Sequence, residues 1–238
     1  QVRFSERHER WRMPSAYYEE TFAFENGSAQ FVFVDWVRLE GAFSRSPEDR
    51  RFGERLREDQ AGEVTSEEHW EWLRRTLGKG DPTWRVVVGH RPVISVSARS
   101  ARDDAAFPAE ARTRDALREV METFGVDLWI NGHDHTVQVA CSETPKGATH
   151  FVTAGVGGYD LHELSPSAEW PEETAFADAS FHGFAAHRFT ADAITTHFLD
   201  ALSNVRHSFV IGKRSKTCPG RGGSTKANVD DNVAGGAL

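Results

Sequence analysis

The chain has 238 residues, a length typical of one domain or of one domain followed by a tail. Its formal net charge at pH 7 is −8, whereas proteins that bind nucleic acid usually carry a basic excess, so nucleic acid is excluded as the expected partner. No apolar run approaches the roughly 18 residues needed to cross a bilayer, and no membrane span is predicted.

Three short runs of apolar, β-branched and aromatic residues predict buried strands at 29–36, 84–89 and 126–131. Apolar residues at helical spacing predict one helix over 65–78 and another over 109–124. This alternation predicts an α/β fold with a layered sheet. In such folds the loops at the carboxyl ends of the strands carry the chemistry.

Turn and cap signals divide these elements. Thr65 and Glu68 have the spacing of a capping box at the start of the first helix. The polar segments 41–64 and 95–108 are predicted as loops. The later part of the chain is predicted to consist mainly of strands, at 149–154, 183–190, 193–199 and 207–211. An acidic loop is predicted at 158–182.

The strongest chemical signal is the segment Gly132-His133-Asp134-His135, which directly follows the predicted strand 126–131. Two imidazoles one residue apart can both reach a metal cluster from a single loop. Neutral imidazole is a good ligand for zinc, iron and related metals. The segment therefore predicts metal binding by His133 and His135.

A second histidine motif follows another buried strand. It is Gly89-His90-Arg91-Pro92, at the end of the strand predicted over 84–89. A single histidine at such a position is more often a hydrogen-bonded structural residue than a ligand. Two strand-end loops of this kind, separated by a helix, are stronger evidence for metal binding together than either is alone.

Together the two motifs resemble the last two metal-binding motifs of the calcineurin-like metallophosphoesterases. Further segments resemble the tartrate-resistant (purple) acid phosphatases, namely residues 10–18, 34–37, 69–73, 124–127 and 183–185. The resemblance runs from about residue 3 to about residue 211. It implies that residues 1–211 are the C-terminal portion of such a domain, while the Gly-, Ser- and Lys-rich residues 212–238 are predicted to form a disordered tail.

The resemblance implies a fold of two packed mixed β-sheets flanked by helices. It implies hydrolysis of small phosphomonoesters at a dinuclear centre of divalent or trivalent ions, iron with iron, zinc or manganese. Carried over residue by residue, His90 and His133 are expected to bind one metal and His135 the other.

The resemblance also implies that part of the site lies elsewhere. The family's catalytic histidine and remaining ligands occur in Gly-Asp and Gly-Asn-His motifs that this chain lacks. We therefore expect the catalytic residues upstream of residue 1, and we expect the chain alone to be inactive. The family's substrate-contacting histidine is also absent from the loop 97–102, where Arg99 or Arg102 is a candidate phosphate contact, and Tyr17 and Tyr18 are interpreted as structural.

Other functions stay open at this stage. The chain could be a non-catalytic relative that keeps the fold for binding, or a hydrolase of diesters or nucleotides from the same superfamily. A mononuclear zinc module built on the three histidines is a third alternative. The family and the glycosylation pattern Asn26-Gly27-Ser28 favour a secreted or a lysosomal or vacuolar protein. A bridge between Cys141 and Cys218 is possible but not determined.

Overall fold

The computed structural model describes residues 11–41, 65–106, 108–213 and 217–218. Within these ranges the chain forms ten strands and four helices. The helices are α1 (Trp36–Glu40), α2 (Ser66–Leu77), α3 (Ala98–Ala106) and α4 (Pro108–Phe124). The strands are β1 (Tyr18–Phe24), β2 (Gly27–Phe33), β3 (Trp84–Val88), β4 (Leu128–Asn131), β5 (Val137–Thr144), β6 (Gly147–Ala154), β7 (Thr174–Asp178), β8 (Gly183–Phe189), β9 (Ala193–Asp200) and β10 (Val205–Gly212).

The strands form two sheets. A seven-stranded mixed sheet has the order β1-β2-β3-β4-β6-β5-β7, in which β2, β3, β4 and β6 run parallel to one another. A three-stranded sheet has the order β10-β9-β8 and is antiparallel in the part of the chain described. The predicted α/β fold with two β-sheets is confirmed, although the smaller sheet is not mixed over these residues.

Alternate residues of the large sheet face two separate cores, as the two-residue period of a strand requires. Val87 and Trp129 pack toward helices α1, α2 and α4, in a core that includes Leu39 and Leu73. On the opposite face, the large sheet packs against the small sheet through Trp84, Val86, Leu128, Ile194 and Phe198. The large sheet is therefore the middle layer of three.

Several predicted boundaries were wrong. The strand predicted over 29–36 ends at Phe33, because Asp35 caps α1 by accepting a hydrogen bond from the backbone N–H of Arg38. The segment 95–108 is not a loop but contains α3, which Arg99 and Asp103 support by an i,i+4 ion pair. The segment 158–182 contains β7, and the strands β1 and β5 were not predicted.

The C-terminal region joins the fold through a disulfide between Cys141 on β5 and Cys218, 77 residues later. Apart from residues 212–213 and 217–218, the segment predicted as a tail lies outside the described residues, as do residues 42–64 of the loop predicted at 41–64. No described helix is long and apolar enough to cross a membrane.

Candidate metal centre

The three predicted histidines lie at one edge of the large sheet. His90 follows β3, and His133 and His135 follow β4, its parallel neighbour. Hydrogen bonds tie the two loops together, from the backbone N–H of Gly89 to Ile130 O at 3.0 Å and from that of Gly132 to His90 O at 3.1 Å. Because parallel strands end at the same edge, the sheet itself brings the two motifs together.

The rings of His90 and His133 are in direct contact. His90 Nε2 lies 3.3 Å from His133 Nδ1, and the ring centroids are 5.1 Å apart. Two nitrogen ligands bound to one zinc ion at a tetrahedral angle lie about 3.4 Å apart. The two imidazoles therefore fit a shared metal ion without a change in their spacing.

His135 lies in a different environment. Its Nδ1 donates to the backbone carbonyl of Asp160, in the loop after β6. A neutral imidazole that donates from Nδ1 presents an unprotonated Nε2, which is a ligand atom. Its ring stacks on His162 with a centroid distance of 4.1 Å, and its backbone N–H donates to His162 Nδ1 at 3.1 Å.

Electrostatics keep the paired histidines neutral. Burial is the main cause of a lowered pKa for both His90 and His133, and the guanidinium of Arg91 lowers each pKa further. Metal binding requires a neutral imidazole, so both side chains are in the protonation state of a ligand at neutral pH.

Asp134, between the two histidines, points away from them into the protein. It is fully buried, and its Oδ2 accepts hydrogen bonds from the hydroxyls of Ser95 and Ser100, the latter at 2.7 Å. Its Oδ1 lies 3.8 Å from Nδ1 of His162. Asp134 therefore anchors the histidine loop to the segment that leads into α3.

Charged residues next to His133 form a second group. Ligand atoms of Asp103, Glu110 and His133 lie within 4.8 Å of one another. Arg91 lies among them, in an ion pair with Glu110 and with its Nη1 3.5 Å from His133 Nε2. Burial is the main cause of the raised pKa of Glu110, which Arg91 opposes.

The sequence did not predict that Asp103 and His162 reach this edge of the sheet. The sequence did not single out His162, because nothing in the local sequence shows that the loop after β6 ends beside β4. Among the candidate phosphate contacts, Arg99 is half exposed, and its Nε donates to both carboxylate oxygens of Asp103 at 3.2 Å. Arg102 is exposed.

The residues interpreted as structural do pack away from the centre. Tyr17 stacks on His69 with a centroid distance of 3.9 Å, and Tyr18 stacks on Phe33 at 4.5 Å. The glycine before His90 is required by close packing. A Cβ at Gly89 would lie 2.4 Å from the fully buried Trp129 ring, so glycine is needed there for close packing.

A sequence model described as "Calcineurin-like phosphoesterase" matches residues 2–137, which is more than half of the chain and includes all three histidines. The chain belongs to this family. Tartrate-resistant acid phosphatase type 5 of Oryctolagus cuniculus is 25% identical over 91% of this chain and 63% of its own length. Purple acid phosphatase 4 of Arabidopsis thaliana is 26% identical over 78% of this chain and 50% of its own length. The chain thus spans about half to 63% of the length of these relatives.

Solved structures share the fold of this calcineurin-like phosphoesterase. GAP50, the anchor in the inner membrane complex of Plasmodium, superposes with a TM-score of 0.58 at 21% identity, over 87% of this chain and 57% of that one. Purple acid phosphatase PPD1 from yellow lupin (Lupinus luteus) seeds superposes with a TM-score of 0.57 at 18% identity, over 82% of this chain and 32% of that one. The predicted relation to tartrate-resistant and purple acid phosphatases is confirmed.

Proposed function

We propose that the protein hydrolyses phosphate monoesters at a dinuclear metal centre, with His90 and His133 as ligands of one ion and His135 as a ligand of the other. The observation that carries the proposal is the 3.3 Å separation of His90 Nε2 and His133 Nδ1 at the sheet edge of a calcineurin-like phosphoesterase. The acid-phosphatase relatives support the substrate class.

The described residues suit this chemistry. Two bound cations neutralise charge on a phosphate ester and activate water for attack on phosphorus. The neutral imidazoles provide ligand nitrogens that need no proton release at neutral pH. Iron paired with iron, zinc or manganese is the metal content that we propose.

We also propose that these three histidines are not sufficient for turnover. Among the described residues, one group brings together three potential ligand atoms of His, Cys, Asp or Glu. It consists of Asp103, Glu110 and His133 and includes neither His90 nor His135. The described residues thus supply no group that joins His90 or His135 to a carboxylate able to bridge the two proposed metal sites, although the family resemblance implies such a bridge. The isolated chain is expected to bind metal weakly and to hydrolyse esters slowly or not at all.

The test is hydrolysis of a chromogenic aryl phosphate by the 238-residue chain with iron, zinc or manganese added. His133→Ala is the test variant. His197→Ala is the matched control, because His197 bonds to Ser208 on the small sheet, away from the site. We expect no turnover above background. Turnover lost only in His133→Ala would support the phosphatase function and contradict the proposal that the chain alone cannot turn over substrate. Turnover that survives in His133→Ala would contradict the proposed metal ligands.

The proposed location is a secreted or a lysosomal or vacuolar one. The Cys141–Cys218 disulfide supports it, because disulfides persist mainly in oxidising compartments. The glycosylation pattern at Asn26 supports it as well, since Asn26 is exposed in the turn between β1 and β2.

A further inference from the structure

We infer that Asp103 is a positioning residue for His133. Its carboxylate accepts a hydrogen bond from the protonated Nε2 of His133. The unprotonated Nδ1 of His133 then faces His90. The inference rests on the proposed function, in which Nδ1 of His133 binds metal. It adds a carboxylate on α3 to a site that the two histidine motifs alone define.

The two ring nitrogens of His133 face different partners. Nδ1 faces His90 Nε2 at 3.3 Å, whereas Nε2 faces Asp103 Oδ2 at 3.3 Å. The side chains of His133 and Asp103 are 14% and 13% exposed, so water competes little for the contact. A carboxylate oxygen can only accept, so a hydrogen bond to Asp103 places the proton on Nε2. The guanidinium of Arg91, 3.5 Å from the same nitrogen, can only donate and would need an unprotonated Nε2, and the shorter contact to Asp103 favours the protonated form. A ligand histidine with a carboxylate at its second nitrogen has its tautomer and orientation fixed.

Asp103 is itself held in place. The Nε of Arg99, one turn earlier on α3, donates to both of its carboxylate oxygens at 3.2 Å. On another side, the Nη1 of Arg91 lies 3.9 Å from Asp103 Oδ2 and is anchored by the buried Glu110. Arg99 thus orients the carboxylate from within α3, and Arg91 places positive charge beside it from the loop that carries His90.

The same contacts argue against a separate cation site between Asp103, Glu110 and His133. The guanidinium of Arg91 already supplies positive charge in that group, since it pairs with Glu110 and lies 3.5 Å from His133 Nε2. A metal ion there would have to displace this guanidinium. The carboxylate of Asp103 is therefore a partner of the histidine and not a ligand of a further ion.

The backbone of His133 also depends on its surroundings. His133 has a φ of 62°, in the left-handed region that residues other than glycine rarely adopt. Such a conformation persists only where the surroundings hold it. Asp134 anchors the next residue through Ser95 and Ser100, and Asp103 holds the ring.

The deciding experiment is long-range ¹H–¹⁵N NMR of the histidine rings in the metal-free 238-residue chain, at a pH where His133 is neutral. The His133→Ala spectrum assigns the signal. We expect a protonated Nε2 and an unprotonated Nδ1 in the native protein. In Asp103→Asn we expect a mixture of tautomers or a proton on Nδ1. A native proton on Nδ1 would overturn the inference and would make Arg91 the donor to Nε2. Identical His133 signals in the native protein and Asp103→Asn would overturn it too.

Zinc affinity, measured by competition with a chromophoric chelator, provides a second readout. We expect Asp103→Asn to bind zinc about 10- to 100-fold more weakly, and Asp103→Glu to recover part of the loss. Asp115→Asn, the same change at an exposed site on α4, should bind as the native chain does. Zinc binding that is weakened by His90→Ala but unchanged in Asp103→Asn would contradict the role of Asp103 and support the proposed metal ligands. A native chain that binds no zinc would contradict the ligands, while the tautomer would still decide the role of Asp103.

Discussion

Gly155, in the loop after β6, packs directly against the loop that carries the histidines. A Cβ at this position would lie 1.8 Å from the carbonyl oxygen of Asp134. The backbone N–H of Gly155 also donates to Thr136 O at 3.0 Å, so the two loops cannot easily separate. The obstacle is backbone rather than the flexible end of a side chain. Any side chain at 155 would therefore displace the histidine loop.

We predict that Gly155→Ala destabilises the protein by about 1–3 kcal/mol, the usual cost of overpacking, and weakens zinc binding. Gly157→Ala is the matched control, because a Cβ there would meet no atom within 4 Å. Urea unfolding and zinc competition measure the two effects. Equal unfolding midpoints for the two variants would show that the loops separate at little cost.

At the residue scale, the sequence predicted the positions of side chains that directly follow a strand recognisable from its own residues. His90 and His133 come next to each other because β3 and β4 are parallel neighbours, and both strands were visible as buried apolar runs. Asp103 and His162 were not predicted as part of the site. Their places depend on a helix and on strand pairings that local sequence does not specify.

At the scale of elements, strong local signals predicted the structure well. The capping box is present at the start of α2, where Thr65 Oγ1 accepts from the backbone N–H of Glu68 at 3.2 Å and Glu68 Oε2 accepts from that of Thr65 at 2.6 Å. Helix α3 contains no apolar residue larger than alanine. Strand β5 is buried and pairs with β6 on one side and β7 on the other. These elements form because of tertiary contacts, and the sequence alone could not place them.

We predict that Thr65→Ala lowers the free energy of unfolding by about 1 kcal/mol, because it removes the hydroxyl that accepts a hydrogen bond from the backbone N–H of Glu68, whereas the bond from the backbone N–H of residue 65 to Glu68 can remain. The control is Glu71→Ala, an exposed substitution in the same helix that leaves the cap intact. Chemical denaturation followed by circular dichroism is the measurement. A loss in Thr65→Ala no larger than in Glu71→Ala would argue that the cap contributes nothing to stability.

At the scale of the whole molecule, the cores contain buried histidines that fold in the neutral form. His69 is fully buried beneath Tyr17, and His150 on β6 is 2% exposed. Burial lowers the pKa of His69 to about 3 and the pKa of His150 to about 4. Burial also raises the pKa of the neighbouring Asp127, to about 6.

These groups predict a loss of stability on acidification. The unfolded histidines take up protons below a pKa of about 6.5 while the folded ones do not, so their contribution is complete above that pH and falls as the pH drops toward 4. Asp127 acts in the opposite sense, because its folded pKa is raised and folding gains stability as the pH falls below 6. Burial lowers the pKa of His187 to about 4 as well, so a third histidine contributes in the same sense as His69 and His150. The net loss between pH 7.5 and 5.5 should be on the order of 3 kcal/mol. Urea midpoints at the two pH values measure it, and His150→Gln should reduce the difference by roughly 40%. A midpoint that is unchanged or higher at pH 5.5 would refute the prediction.

The disulfide between Cys141 and Cys218 closes part of the chain into a covalent ring. The ring contains β6 to β10 and the loop that carries Asp160 and His162. A protease that cuts once between β6 and β7 would leave both fragments linked, so the nicked protein would run as a single species on a gel until a reductant is added. An oxidised molecule can therefore lose the continuity of its backbone beside the histidine site without losing any of its strands.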